Sequence, residues 1–311
     1  MNLIALAGGV GGAKLAHGLA LAAPEEELTV VVNTGDDFEL HGLHICPDLD
    51  TVMYTLAGLA NPETGWGLAG ESFGALEMLG RYGAETWFRL GDRDLATHVT
   101  RTARLRAGDT LTQVTAALCA ALGVRPRVLP MTDDPMPTMI VTDEGELAFQ
   151  DYFVRRRWQP AMRGVRFAGT ESVRPSPAVR AALDGASVVV FCPSNPFVSL
   201  DPILVLHGKA LADWRKRGGC AVAVSPIIGG EAVKGPAAKM FRELGVEPSA
   251  LAVAEHYRGL LDGFVLDQRD AAQVDAIAAL GMQVRITDTL MRNDADRRRL
   301  AAEVIALAGE A

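Results

Sequence analysis

A chain of 311 residues that is 49% hydrophobic can bury a large core without disulfide or metal staples, as one enlarged α/β domain or as two unequal lobes. Lys and Arg number 30 against 38 Asp and Glu, leaving a net charge of -8, and no basic run is long enough to follow a phosphate backbone, which excludes nucleic acid as an expected partner. The apolar run Leu3 to Ala7 has no basic flank and breaks at Gly8, too soon for a signal peptide or a membrane span, and Cys46, Cys119, Cys192 and Cys220 form no C-x-x-C pair; a cytoplasmic protein with reduced thiols and no membrane partner is expected.

In chain order, Leu3 to Ala7 reads as a strand, the four glycines after it as a turn, Ala13 to Ala23 as a helix and Leu28 to Val32 as a second strand, together a β-α-β unit. Helical spacing follows at 51–59, 73–82, 94–106 and 111–122. From about Arg125 the texture changes: Thr138 to Thr142, the turn Asp143-Glu144-Gly145, then Glu146 to Val154 predict a β-hairpin, followed by basic and proline-rich sequence. Short strands resume at 187–192, 220–225, 263–266 and 283–287, separated by helices. The expected fold class is α/β, a mostly parallel sheet covered on both faces, with a core in two parts (1–124 and 185–311) and an inserted smaller subdomain at 125–184.

The first motif that could carry chemistry is Gly8-Gly9-Val10-Gly11-Gly12-Ala13-Lys14, between strand and helix. Glycines let the backbone approach an anion, a helix N-terminus offers unpaired N–H groups, and Lys14 adds a positive charge one turn in, so the segment reads as a phosphate cradle. It is neither a complete P-loop nor a complete G-x-G-x-x-G, and a tight turn without a ligand is the plain alternative. The second is Asn33-Thr34-Gly35-Asp36-Asp37 at the end of the second strand, with Pro47-Asp48-Leu49-Asp50-Thr51 entering the next helix. Strand C-terminal ends face the ligand crevice of a doubly wound sheet, so these carboxylates near a diphosphate suggest a magnesium site, while Asp48 or Asp50 as a helix cap and Asp36-Asp37 as turn residues stay open.

Arg89-Leu90-Gly91-Asp92-Arg93-Asp94 suits bidentate recognition of an anion or, more simply, a solvated helix start. Pro193-Ser194-Asn195-Pro196 and Ser225-Pro226-Ile227-Ile228-Gly229-Gly230 place hydroxyl, amide and glycine N–H donors at the same sheet edge as the glycine turn. Arg155-Arg156-Arg157 reads as a solvated face, and His41 and His44 as loop residues near the acidic segment.

These segments, with Leu129 to Pro135, Phe149 to Val154, Gly235 to Met240, Ala254 to Tyr257 and Asp288 to Met291, closely resemble in order and spacing the 2-phospho-L-lactate transferase (CofD-type) family of coenzyme F-420 biosynthesis. The resemblance implies a Rossmann-like three-layer α/β/α core with a smaller subdomain, a homodimer, and dependence on Mg2+. It implies a transferase that moves a 2-phospho-acid, phospholactyl or phosphoenolpyruvyl, from a guanosine diphosphate-linked three-carbon acid to the terminal hydroxyl of the deazaflavin Fo, releasing GMP. By residue, it implies Fo contacts from Asp50 and Arg89, metal ligation and catalysis from Asp37 and Asp50, and nucleotide contacts from Gly9, Gly11, Gly12, Lys14, Ser194, Asn195, Gly229 and Gly230. Asp50→Ala is expected to abolish transfer and leave the fold intact.

Two other readings compete. A non-catalytic sugar-nucleotide-binding regulator of related fold would share the glycine turn and an acidic loop, but here Asp37 is followed by Phe38-Glu39-Leu40-His41-Gly42, and the segments around Asp50 and Arg89 are present. A nicotinamide-dependent oxidoreductase would place one acidic residue about 20 positions beyond the glycines. The interrupted fingerprint and the extra aspartates count against it.

Overall fold

The computed structural model describes residues 1–23 and 28–310; residues 24–27 and Ala311 lie outside the described part. From β1 (Leu3–Ala7) the chain turns through Gly8 into α1 (Gly9–Ala22) and returns as β2 (Leu28–Val32). A short hairpin, β3 (Phe38–Leu40) and β4 (Leu43–Ile45), leads into α2 (Pro47–Leu56), α3 (Gly74–Arg81), α4 (Asp92–Arg106) and α5 (Leu111–Ala121). Then come β5 (Arg127–Pro130), the antiparallel strands β6 (Thr138–Thr142), β7 (Gly145–Ala148) and β8 (Met162–Phe167), and α6 (Pro177–Gly185). The second half runs through β9 (Val188–Phe191), α7 (Asp201–Lys216), β10 (Cys220–Val224), a two-residue ribbon of β11 (Ile227–Ile228) and β12 (Glu231–Ala232), α8 (Ala237–Glu243) and α9 (Ala250–His256). It closes with β13 (Gly263–Asp267), α10 (Val274–Ala278), β14 (Gln283–Thr287) and α11 (Asp294–Glu310).

The alternation of side chains along the strands sets the layers. In β1, Leu3, Ala5 and Ala7 join one core and Ile4 and Leu6 the other, and all five are buried, as a strand covered on both faces requires. Val30 and Val32 against Val31, and Val188 and Val190 against Val189 and Phe191, divide the same way. Helices α1, α2, α5 and α11 cover the first face, and α6 to α10 cover the second. Helix starts follow local chemistry: Thr110 and Gln113 form a reciprocal capping box ahead of α5, Ser176 caps α6, and Pro47 sits in the first turn of α2.

The main sheet has seven strands in the order β14-β13-β10-β9-β1-β2-β5, every neighbouring pair parallel. From β1 the chain builds outward to β2 and β5, then returns past β1 to β9 and builds the other way. The order therefore reverses between β1 and β9, and a crevice opens at the carboxyl ends of those two strands. The expected α/β class, with a mostly parallel sheet, is what the chain adopts.

Two local expectations need correction. The segment 125–184 does not separate as a block: β5 pairs in register with β2, and α6 packs Val179 and Leu183 into the second core, so the antiparallel sheet β7-β6-β8 occupies only 138–167. The hairpin's second strand stops at Ala148, and Asp151–Arg155 coils into a wide helical turn. Phe149 and Tyr152, three apart, both turn into a third core with Ile140, Met162, Val198 and Met240, which a strand's two-residue period cannot do.

Helix α1 lies directly against α11, and Gly18 makes that possible: a Cβ there would be 2.3 Å from the carbonyl oxygen of Arg297. Gly18→Ala gains about 1 kcal/mol of helix propensity but forces two backbones apart. We expect a net loss of about 1–3 kcal/mol, read as a lower urea midpoint at unchanged m-value. A midpoint equal to or above wild type would show that α1 and α11 can separate without cost.

Candidate functional site

The glycine turn is clamped to the loop after β9. Ser194 Oγ accepts from the Gly8 N–H at 3.1 Å and donates to the Gly8 carbonyl at 2.8 Å, so one hydroxyl holds the residue before α1 from both sides. A Cβ on Gly11 would lie 2.2 Å from the Pro193 carbonyl oxygen, and one on Gly12 would lie 2.5 Å from Ser194 Oγ. Gly9 has φ +62, a left-handed conformation open to glycine at little cost. The glycine turn therefore lies at the switch point of the sheet, with Gly9, Gly11 and Lys14 on the cleft wall and Gly12 packed beneath it on Ser194 and Ala7.

Beside the turn sit two buried carboxylates. Asp48 Oδ1 accepts from the Gly9 N–H at 2.7 Å, and its Oδ2 accepts from Asn33 Nδ2 at 2.9 Å. The same Asn33 amide donates to Asp36 Oδ1 at 3.0 Å, so a single amide stands between two acids. Burial raises both: Asp36 goes well above the ordinary carboxylate range, with the neighbouring Asp48 adding to the shift, and Asp48 is pushed up to about 6 despite its bonds from Asn33 and Gly9. Both line the cleft, and two crowded carboxylate oxygen donors fit a hard divalent cation such as magnesium.

Asp37 and Asp50 are placed differently from this pair. Asp37 turns away from the cleft toward His44 Nε2 at 3.6 Å and Cys46, and burial raises its pKa while those two hydrogen bonds oppose the rise. Asp50 lies on the cleft, but both of its oxygens are taken by Arg101, Oδ1 by Nη2 and Oδ2 by Nη1 at 3.1 Å. Arg101 is 1% exposed, so this is a buried bidentate pair. An adjacent guanidinium makes Asp50 a poor cation ligand, and each of the two aspartates falls in its own cluster, Asp37 with His44 and Cys46 and Asp50 with Asp94 and His98.

The second cluster extends along α4. Arg101 Nη1 lies 3.1 Å from His98 Nδ1, and since an arginine N–H only donates, Nδ1 is the acceptor. In the neutral ring the proton then sits on Nε2, which faces Asp94 Oδ2 at 3.4 Å. Asp94 also accepts from the Tyr54 hydroxyl at 2.7 Å; burial opposes ionisation, yet the His98 and Tyr54 contacts hold its pKa below the ordinary value. His98 and Arg101 were not singled out in the sequence, although Asp94, His98 and Arg101 at i, i+4 and i+7 form a polar stripe on one helix face.

The cleft has a volume of about 1020 Å³, and its far end is aromatic, with Trp87, Phe88, Phe149, Phe153 and Trp158 on the wall. Arg89 stands at that end with its guanidinium 4.3 Å from the centre of the Phe73 ring, and it also faces an adjoining cavity of about 540 Å³ under the 61–71 loop. Within the basic run, Arg155 and Arg156 pair with Glu85 and Glu144 at the surface, while Arg157 reaches the cleft. Arg157 and Trp158 are left-handed, at φ 51 and 49, a conformation that costs a residue with a Cβ about 1 kcal/mol or more. Asn195 lines the cleft and caps the following turn through the Phe197 N–H. Gly229 and Gly230 are absent from the cleft wall, and the Gly229 N–H is donated to both oxygens of Asp270, at 3.1 and 3.0 Å.

Fold and cleft together define a parallel α/β protein whose main cleft opens at the switch point of its sheet. The chain belongs to the 2-phospho-L-lactate transferase family: the family model described as 2-phospho-L-lactate transferase CofD matches residues 3–306. It is 45% identical to a phosphoenolpyruvate transferase of Streptomyces coelicolor, covering 100% of this chain and 99% of that protein. It is 41% identical to a 2-phospho-L-lactate transferase of Methanosarcina mazei, covering 97% and 99%. A solved structure of a UPF0052 family member from Bacillus halodurans matches with a TM-score of 0.61 at 15% identity over 98% of each chain, a likeness of fold. The chain is a transferase of this family, and among the described residues no helix is long and apolar enough to cross a membrane.

Asp48 gives the site a pH signature. Its ordinary value is 3.8 and its folded value about 6, so the folded state binds the proton more tightly; its stabilising contribution is complete below about 3.8 and is lost as pH rises through about 6. Between about pH 4 and pH 7, in cation-free buffer, wild type should lose on the order of 2–3 kcal/mol of unfolding free energy that Asp48→Asn does not lose. Magnesium added at the upper pH should restore part of it to wild type alone. Parallel pH profiles for the two proteins would show that Asp48 is not strained.

Arg101 and Asp50 make a second prediction, and it corrects the expectation that Asp50→Ala leaves the fold intact. Asp50→Ala strands a buried guanidinium, and Arg101→Met strands a buried carboxylate, so either should cost about 3–5 kcal/mol in chemical unfolding. The double variant should recover most of the loss. Single variants as stable as wild type would mean that water reaches the pair.

Proposed function

We propose that the chain transfers a 2-phospho-acid from a guanosine diphosphate-linked three-carbon acid, enolpyruvyl or lactyl, to the terminal hydroxyl of the deazaflavin Fo, releasing GMP, as a step of coenzyme F-420 biosynthesis. The observation that carries this reading is one continuous cleft with two unlike ends: glycine N–H groups and Lys14 at the switch point, and a wall of aromatic rings beyond. The first end suits a diphosphate and the second a flat tricyclic ring. Relatives named for both acids, at 45% and 41% identity over nearly the whole chain, support the transfer of such a group.

In this reading the Fo hydroxyl oxygen attacks the β-phosphorus, the bond from that phosphorus to the GMP oxygen breaks, and the hydroxyl proton is released. Phosphoryl transfer of this kind depends on positioning and charge neutralisation more than on covalent help from the protein. The first-turn N–H groups of Val10 and Gly11, with Lys14, hold the diphosphate, Ser194 and Asn195 shape the nucleotide side, and Arg89 orients the deazaflavin. Asp50, fixed by Arg101, faces the acceptor as a hydrogen-bond acceptor of set position. Asp36 and Asp48 would hold magnesium, which when bound neutralises charge on the diphosphate; this moves the metal site proposed for Asp37 and Asp50 to the pair that lines the turn. A homodimer, from the family resemblance, and a cytoplasmic location, from the short N-terminal apolar run and the unpaired cysteines, are part of the same proposal.

The test is GMP release from each guanosine diphosphate-linked acid in the presence of magnesium, with and without Fo, and the mass of the Fo product. Release that requires Fo and yields the phospho-acid ester is expected with at least one donor. Arg89→Ala should raise the KM for Fo roughly tenfold while the donor KM stays near wild type. No Fo-dependent GMP from either donor, with a sugar nucleotide bound instead, would sink the transfer reading.

A further inference from the structure

The cations at the glycine end of the cleft are not alike. Arg292 is neutralised by Asp288 at 2.8 Å and by Asp296 at 3.6 Å. Lys14 and Lys234 have no carboxylate partner among the described residues, in a chain whose net charge is -8. Lys14 donates to the Met291 carbonyl at 3.1 Å, and Lys234, between β12 and α8, donates to the Thr64 carbonyl at 2.7 Å. Each ammonium has three N–H donors, so both keep donors unspent at the cleft wall.

Several contacts bring Lys234 to the turn. Both lysines line the cleft, and burial first, then the charges of Arg297 and Lys234, hold the Lys14 pKa below its ordinary value. Gly65, beside the carbonyl that Lys234 holds, rests on the turn itself: a Cβ there would lie 2.6 Å from Val10 Cγ1 and 3.3 Å from Lys234 Nζ. Two lysines from distant parts of the chain, neither with a carboxylate partner among the described residues, thus line one cleft beside the N-terminus of α1. Like charges held together in a partly buried cleft repel, and an anion between them removes that cost.

We propose that Lys234 is a donor-binding residue: with Lys14 it forms a two-lysine anion site over the glycine turn that takes the phosphate-borne charge of the nucleotide-linked donor. The identity of that anion rests on the transfer reading above. A diphosphate diester that also bears a carboxylate carries more charge than one helix terminus and one lysine neutralise. Lys234 supplies the second cation from the opposite wall, and through Thr64 it ties the 61–67 loop to the occupied site.

The test is equilibrium binding of GDP, and separately of inorganic pyrophosphate, to the full chain with magnesium, for wild type, Lys234→Ala and Lys234→Arg, at low and high salt. Lys234→Ala should bind both probes roughly tenfold more weakly, with a shallower dependence on salt, while Fo binding is unchanged and Lys234→Arg recovers most of the affinity. Lys234→Ala binding both probes like wild type, with the same salt dependence, would overturn the proposal, and so would a wild type that binds neither. Wild type binding pyrophosphate in a Lys234-dependent way but not GDP would keep the lysine site and reject the guanosine donor.

Discussion

The cleft depends on how closely the start of α1 is drawn onto the loop after β9. A methyl group on Gly11 would meet the Pro193 carbonyl at 2.2 Å and one on Gly12 would meet Ser194 Oγ at 2.5 Å, so no side chain larger than hydrogen fits without separating the two segments. Ser194 then locks the approach by bonding both the N–H and the carbonyl of Gly8. These segments follow β1 and β9, the pair at which the sheet reverses its order, so the contact fixes the floor of the crevice. Ser194 is thereby spent on architecture more than on a ligand. The N–H groups of the turn, the pair Asp36 and Asp48, and Lys14 take their positions from it.

Charge divides the polar residues around the cleft into two kinds. Arg101 holds both oxygens of Asp50, and His98, Asp94 and Tyr54 continue the chain of contacts along α4 into α2. A buried pair resolved in this way is a rigid frame, destabilising only when one partner is removed. Asp36 with Asp48, and Lys14 with Lys234, are unresolved: like charges lining one cleft, with the pKa values of Asp36, Asp48 and Lys14 moved by burial toward the neutral form. Tension that the protein leaves unrelieved is the physical mark of a site completed by something else. The acidic pair suits a divalent cation and the lysine pair an anion. A cation-bound diphosphate presents both.

The sequence made the scaffold legible because its strands are short apolar runs and its helices keep their period. Leu3 to Ala7, the glycines and Lys14 are read from neighbours in the chain alone. What escaped depends on direction. Asp36 and Asp37 are adjacent, yet one faces the cleft and the other turns to His44, a difference decided by the hairpin Phe38–Ile45 that follows. Gly229 looked like a free donor until Asp270, 41 positions later, was found accepting from it. Arg127–Pro130 is a four-residue edge strand whose membership of the main sheet is visible only as its pairing with β2. His98 and Arg101 were legible in principle through their helical spacing with Asp94, but a helix so polar overall reads as a solvated one. Lys234 carries no local signal, since its bond partner is Thr64, 170 positions earlier.

The small antiparallel sheet gains a purpose from this division. Phe149, Phe153 and Trp158 on the cleft wall come from the segment between β7 and β8, and that segment is anchored to α8 by Lys239, which donates to the Tyr152 hydroxyl at 3.1 Å and to the Pro160 carbonyl at 3.0 Å. Trp87 and Phe88, between α3 and α4, complete the aromatic end from the other side, with the Phe38 and Phe88 ring centres 5.0 Å apart behind them. Neither segment belongs to the parallel sheet. The switch point that holds the charged end is a property of the doubly wound fold, whereas the aromatic end is built from additions to it.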